Sequence, residues 1–191
     1  MFNNNVLRLA LETIEYFLRN GSEVYVCMMD MTKTFDLVKH SLLFKKLLDK
    51  GLPVIIVRLL FFMYIFQTAN VRWGGNVSSS FPMSNGVKQG AVLSAILYCF
   101  YTNGLFEKLR KNKVGCWVQG VYAGVLGYAD DTLALSPSRE GLQEMMATFQ
   151  DYASSHNLKF STHEDPKKSK TKCLAFTKQD RQLKKICLGG N

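Results

Sequence analysis

Gly127-Tyr128-Ala129-Asp130-Asp131-Thr132-Leu133-Ala134-Leu135 carries two adjacent carboxylates between the apolar runs Val125-Leu126 and Leu133-Ala134-Leu135. Strand-like runs on either side of a short polar link predict a β-hairpin with acid at its tip. Aspartates at such a tip also serve plain turn chemistry, bonding to nearby backbone. A second stretch weighs against that simpler account. Val24-Tyr25-Val26-Cys27-Met28-Met29 runs without a polar break into Asp30. A continuous apolar run is consistent with a strand buried on both faces. The acid at its C-terminal end then sits where a site opens to solvent; a helix or turn cap is the alternative. A strand-end aspartate and an Asp-Asp hairpin can lie side by side in one sheet and together hold two divalent cations. Magnesium prefers carboxylate oxygens and keeps positions open for water and phosphate. A pair of such ions stabilises both the attacking and the leaving oxygen of an in-line phosphoryl displacement.

Four segments, in this order, resemble the palm of a reverse transcriptase, with the spacing of the non-LTR (LINE-type) retrotransposon branch. They are Asp30-Met-Thr-Lys-Thr-Phe-Asp36, Ser84-Asn-Gly-Val-Lys-Gln-Gly90-Ala-Val-Leu-Ser94, Tyr128-Ala-Asp-Asp131 and Lys167-Lys-Ser-Lys-Thr-Lys-Cys-Leu-Ala-Phe176. The tetrapeptide alone is a weak signal; the ordered set covers nearly the whole chain. The resemblance implies an α+β fold, a polymerase palm with an antiparallel sheet backed by helices, plus part of the fingers and no thumb. On that division residues 1–22 are a fingers remnant, 23–160 the palm and 161–191 its basic end.

The 191 residues suffice for one sizeable core or a domain with a small appendage, and 47% hydrophobic content excludes a disordered chain. A net charge of +9 and a pI near 9.3 suit a polyanionic partner. Lysines gather at Lys167, Lys168, Lys170 and Lys172 and again around Lys178, Arg181, Lys184 and Lys185, which fits a phosphate backbone or a solvated end alike. Five scattered cysteines (Cys27, Cys99, Cys116, Cys173, Cys187) without a Cys-x-x-Cys pair, and three histidines, speak against a zinc site or disulfide framework. Reduced thiols place the protein inside the cell, in nucleus or cytoplasm. Met1-Phe-Asn-Asn-Asn is too polar to open a signal peptide, and Pro53 to Phe66, interrupted by Arg58, falls short of a membrane span.

Along the chain, residues 5–18 predict a capped helix ahead of strand 23–29, and Ser41–Lys50 a second helix stopped by Gly51. Pro53 suits the first turn of a third helix, whose residues Val54 to Phe66 are apolar almost all round and so predict burial. Thr68–Trp73 and Val77–Met83 flank Gly74-Gly75-Asn76, a hairpin signal. A glycine-bearing loop then enters a long helix, Val92 to about Lys111, with Leu93, Ile96, Leu97, Phe100, Tyr101 and Leu105 expected to face the core. Residues 115–135 predict strands, Gly141–Ser155 an amphipathic helix capped by Ser138, and Lys159–Ser161 and Cys173–Phe176 short strands.

The resemblance also implies roles. Asp30, Asp130 and Asp131 form the catalytic carboxylate cluster and, with the backbone carbonyl of Met31, hold two Mg²⁺ ions, for which Mn²⁺ can substitute. Phe35 would exclude a ribose 2′-hydroxyl, or it is a core phenylalanine. Gln89 and Gly90 would contact the nascent pair, or they form an ordinary helix-entry loop. Tyr128 would pack near the primer terminus, or it is a plain strand tyrosine, and the lysines Lys167, Lys168 and Lys172 would meet nucleic acid. Lys170 best matches the lysine that approaches the triphosphate, with Lys168 as competitor. The partners implied are an RNA template, a DNA primer and dNTPs, with no membrane; oligomeric state is unspecified. Thr34, Lys88, Ala91, Ala95 and the stretch His163-Glu-Asp-Pro166 depart from the family pattern without removing a carboxylate. Two rivals remain: a nucleic-acid-binding retrotransposon remnant without activity, and an RNA-copying RNA polymerase, against which Phe35 argues.

Overall fold

The structure is a computed structural model that describes residues 4–128, 131–161 and 170–177. In chain order its elements are α1 (Asn4–Arg19), β1 (Val24–Asp30), α2 (His40–Asp49), α3 (Val54–Ile65), β2 (Thr68–Ala69), β3 (Arg72–Trp73), β4 (Asn76–Val77), β5 (Phe81–Pro82), α4 (Val92–Lys111), β6 (Trp117–Val118), β7 (Val121–Tyr122), β8 (Val125–Tyr128), β9 (Asp131–Ser136), α5 (Arg139–His156) and β10 (Lys172–Phe176). They form two compact units, one from residues 1–32 and 104–191 and the other from 33–103.

The first unit is built on a four-stranded sheet in the order β10-β1-β9-β8. Every pairing in it is antiparallel. Strand alternation gives each face its own helix. Val24 and Val26 of β1, with Leu126, Leu133 and Leu135, meet Ala10 and Ile14 of α1. The opposite face offers Cys27, Thr132, Ala134 and Cys173, all buried, and α5 lies against β1 and β9 with Leu142, Met145, Phe149 and Tyr152 turned inward. The α5 N-terminus is fixed by Ser138, whose Oγ accepts a hydrogen bond from the Gly141 amide at 3.0 Å. The helix therefore begins at Arg139, with Gly141 inside its first turn rather than at its start.

The hairpin β6–β7 is tied to β9 by backbone bonds, Cys116 N to Leu135 O at 2.9 Å and Leu135 N to Gly124 O at 2.7 Å. Gly115 makes this approach feasible. Its φ is +107°, and a Cβ there would lie 2.9 Å from Gly124 Cα and 3.1 Å from the Leu135 carbonyl oxygen. The strand expected at Lys159–Ser161 is reduced to one bridge, Met31 to Phe160.

In the second unit α2 and α3 pack together through Phe44, which meets Phe61 edge-on at 5.4 Å. Here the structure corrects two expectations. The apolar α3 is not an interior helix. Only Val57, Leu60 and Tyr64 are buried, while Val54 is 71% and Phe66 75% exposed. All-round hydrophobicity predicts burial only where neighbours exist on every side; among the described residues α3 packs chiefly on α2. On α4, Leu97, Tyr101 and Leu105 are buried as expected, but Leu93 and Ile96 are exposed, and Ser94, Tyr98 and Thr102 are buried in their place. The tyrosines decide the stripe, since each buries a large ring and needs a place for its hydroxyl. Tyr101 OH accepts from the Lys39 amide at 3.4 Å, and the Tyr101 carbonyl accepts from Lys46 Nζ at 2.9 Å. Pro53 stands just before α3, at its N-cap. Gly74 and Gly75, at φ +53° and +84°, turn the β3–β4 hairpin as their sequence predicts, with Asn76 already in the strand.

Gly115→Ala is expected to destabilise the first unit by at least about 2 kcal/mol, from the left-handed backbone and the contact with Gly124 together, read as a lower midpoint in urea. Burial pushes the Cys116 thiol and the Tyr122 hydroxyl each up to about 12, from ordinary values of 9.0 and 10.0. The unfolded chain gives up these protons first, so stability is full below pH 9 and declines as pH rises toward 12. The same urea midpoint is expected to fall between about pH 8 and about pH 10.5, and by less in Cys116→Ala.

Candidate active site

The β1–β9 ladder sets Asp30 directly opposite Asp131, and the β8–β9 ladder sets Asp131 opposite Tyr128. Directly opposed residues in an antiparallel pair project from the same face, with Cβ atoms about 5 Å apart. The face is the one whose far end, from Val24 to Leu135, lies under α1. Its near end is open: the Asp30 side chain is 31% exposed, and Tyr128 is exposed as well. Like charges opposed across a ladder destabilise it, and a cation beside them offsets that cost.

The backbone around Asp30 is held firmly. The Asp30 carbonyl accepts from the Ser161 amide at 2.8 Å, and the Thr32 amide donates to the Lys159 carbonyl at 2.8 Å. These two bonds flank the Met31–Phe160 bridge, and the Met31 side chain is buried in the core. Lys170 Nζ stands 3.6 Å from Asp30 Oδ2. Lys172 lies in β10 opposite Met28, hence on the same face as Asp30, and is exposed. Asp130, Lys167 and Lys168 fall outside the described residues. Among the described residues no group of three metal-ligating side chains forms. Asp30 and Asp131 are hard oxygen donors, and the sheet's thiols, Cys27 and Cys173, lie opposite each other on the other face. This donor set suits Mg²⁺ or Mn²⁺ and not a thiolate-bound metal.

The remaining candidates belong to the second unit. Phe35 is half-buried with its ring 5.3 Å from Tyr98. Its carbonyl accepts from the Val87 amide at 2.8 Å, and the Val38 carbonyl accepts from the Gly86 amide at 2.8 Å. These bonds clamp the glycine loop to the end of the first motif and the residues just after it. His40 Nε2 donates to the Gly86 carbonyl at 2.7 Å. A Cβ on Gly86, whose φ is +91°, would lie 3.1 Å from the Asp36 carbonyl oxygen, so glycine is required there. Gln89 and Gly90 are exposed just ahead of α4. Neither the His40 clamp nor the Met31–Phe160 bridge was foreseeable locally, because each joins residues far apart in sequence.

A strand-end carboxylate opposed to another, at the open end of a helix-backed antiparallel sheet, is the arrangement of a palm-type polymerase domain. The sequence profile of "Reverse transcriptase (RNA-dependent DNA polymerase)" matches residues 3–184. The chain belongs to the reverse transcriptase family. It is 24% identical over 161 residues to the retrovirus-related Pol polyprotein from the type-1 retrotransposable element R2 of Nasonia vitripennis, covering 84% of this chain and 15% of that protein. It is 29% identical over 167 residues to the RNA-directed DNA polymerase from mobile element jockey of Drosophila melanogaster, covering 83% of this chain and 17% of that protein. The chain thus spans a small part of these relatives. Among solved structures, telomerase from Candida albicans in complex with a fragment of telomeric RNA shares the fold, with a TM-score of 0.65, 12% identity, and coverage of 94% of this chain and 31% of that one. Apo telomerase from Candida tropicalis gives a TM-score of 0.63 at 15% identity over 97% of this chain and 40% of that one. The expected non-LTR resemblance and the α+β palm-and-fingers fold are both met. No helix among the described residues is long and apolar enough to cross a membrane.

Asp131→Asn is expected to remove the charge opposed to Asp30 and so to weaken the attraction of this end of the sheet for a cation. In the wild-type chain millimolar Mn²⁺ should raise the melting temperature above that in chelator; in Asp131→Asn, which keeps Asp30 and Asp130, the rise should be smaller.

Proposed function

We infer that this chain is the catalytic palm region of an RNA-directed DNA polymerase that adds dNTPs to a DNA primer 3′-hydroxyl on an RNA template, using two Mg²⁺ ions. The observation that carries this reading is the in-register pairing of Asp30 with Asp131 on the open end of the sheet, in a chain of the reverse transcriptase family. The ions would lower the pKa of the primer hydroxyl and neutralise the triphosphate. Asp30 and Asp130 would hold one ion, and Asp30 with the Met31 carbonyl the other. Asp131 completes the carboxylate set or orients the primer side. Lys170 approaches the triphosphate and hands a proton to the departing pyrophosphate. Phe35 restricts the sugar to deoxyribose, Gln89 and Gly90 meet the nascent pair, and Tyr128, Lys167, Lys168 and Lys172 contact nucleic acid. The protein's contribution is positioning and charge, with little covalent work. On this reading the sheet of the first unit is the palm, and residues 1–22 derive from the fingers. Work on an RNA template places the protein inside the cell, in nucleus or cytoplasm.

Primer extension on an RNA template tests the reading. Asp130→Asn and Asp30→Asn should each lower extension by about 10³-fold or more, with folding and duplex binding retained. Wild-type-like extension by either variant would overturn the assignment. Duplex binding by a folded wild-type protein that never extends a primer would replace it with a nucleic-acid-binding remnant. Phe35→Val should raise NTP use relative to dNTP use if Phe35 guards the sugar, and leave the ratio unchanged if it only packs on Tyr98.

A further inference from the structure

The ammonium of Lys170 lies 3.6 Å from Asp30 Oδ2, on the carboxylate that is also opposed by Asp131. A divalent ion on Asp30 and the Lys170 ammonium both seek the same oxygens. Two cations cannot share that position without strong repulsion. We propose that Lys170 is an internal counter-ion, occupying the carboxylate site in the absence of metal and giving way when a divalent cation binds.

Three features of the structure make the exchange feasible. Lys170 is reached from a coil position just ahead of β10, and its side chain is 71% exposed, so it can swing away without disturbing the core. Asp30, in contrast, has its backbone held by the Ser161 bond and by the ladder to Asp131, so its carboxylate is presented from the same place whichever cation it faces. Lys172, the next lysine on the same face, is anchored in β10 opposite Met28, two residues short of Asp30, and is less well placed to compete. Because an exposed lysine–carboxylate pair is weak, the ammonium holds the site without sealing it.

This inference rests on the reading of Asp30 and Asp131 as metal ligands, and extends it. On that reading Lys170 has a second anionic partner, the triphosphate. Displacement from Asp30 by the incoming ion would free the ammonium for the nucleotide, so that metal arrival and lysine delivery become one event. Lys170 is then a positioning residue with opposite effects in two states: it opposes metal binding in the nucleotide-free protein and assists once nucleotide is present.

Mn²⁺ binding to the nucleotide-free chain, followed by electron paramagnetic resonance, separates the possibilities. Lys170→Met is expected to bind Mn²⁺ roughly three- to tenfold more tightly than wild type, as loss of one adjacent positive charge implies. Lys170→Arg should stay near wild type, and Lys172→Met should change affinity by less than twofold. Thermal melts give a second readout that simple loss of packing would not move. The Mn²⁺-induced rise in melting temperature should be larger in Lys170→Met than in wild type, with its melting temperature in chelator lower. Equal Mn²⁺ affinity in wild type and Lys170→Met overturns the counter-ion role while leaving the metal site standing, provided Asp30→Asn abolishes binding. An equal gain in Lys170→Met and Lys172→Met also overturns it, since that is the signature of general surface charge. If neither wild type nor Lys170→Met, both folded, binds Mn²⁺, the counter-ion role and the metal-site reading fall together.

Discussion

Two negative charges held opposite each other by a hydrogen-bonded ladder are the constraint around which the first unit is arranged. Neither Asp30 nor Asp131 can move apart from the other without breaking β1–β9, the central pairing of the sheet. The remainder of that sheet exists to keep the ladder rigid. One face is covered by α5, the far half of the other by α1, and β9 is tied through Leu135 to the segments on either side of β6–β7. An isolated carboxylate pair on a loop would relax its repulsion by turning away. On a ladder the paired backbones keep the two residues neighbours, and a nearby cation such as the Lys170 ammonium, 3.6 Å from Asp30 Oδ2, offsets part of the repulsion.

Glycine enters this architecture where backbones must nearly touch. At Gly115 the chain passes within van der Waals reach of Gly124 and the Leu135 carbonyl, bringing a hairpin onto the strand that bears Asp131. In the second unit Gly86 plays the same part against Asp36, clamped further by His40, and so fixes the loop that carries Gln89 and Gly90. Both positions are places where a side chain would push two backbone segments apart.

Much of this was legible in the sequence because the signals were local and strong. The unbroken run into Asp30 predicted β1, the apolar runs beside Asp130-Asp131 predicted the β8–β9 hairpin, and Ser138 with its downstream apolar stripe predicted α5. Resemblance, rather than periodicity, made the two acid-bearing strands neighbours. What the sequence did not reveal were properties set by distant partners. Leu93 and Ile96 fit a helical core stripe as well as Leu97 and Tyr101 do; only the pairing of Tyr98 with Phe35 and of Tyr101 with Lys39 and Lys46 selects the buried face. Helix α3 is apolar enough to be buried, yet burial needs neighbours, and hydropathy cannot count them. Of the site itself, the opposition of Asp30 to Asp131 and the reach of Lys170 are now geometric facts. Asp130, Lys167 and Lys168 lie outside the described residues.

The pleat of β1 gives the site an uneven tolerance to inherited change. Side chains along this strand alternate between the α1 face and the α5 face, so many single-residue replacements between Val24 and Met29 would alter packing without turning Asp30. Gain or loss of a single codon in that interval is different in kind. It would swing the carboxylate to the face occupied by α5, or force the whole apolar run out of step with both neighbouring strands. A gene of this type can therefore drift widely in spelling while its reading length between the paired strands stays fixed.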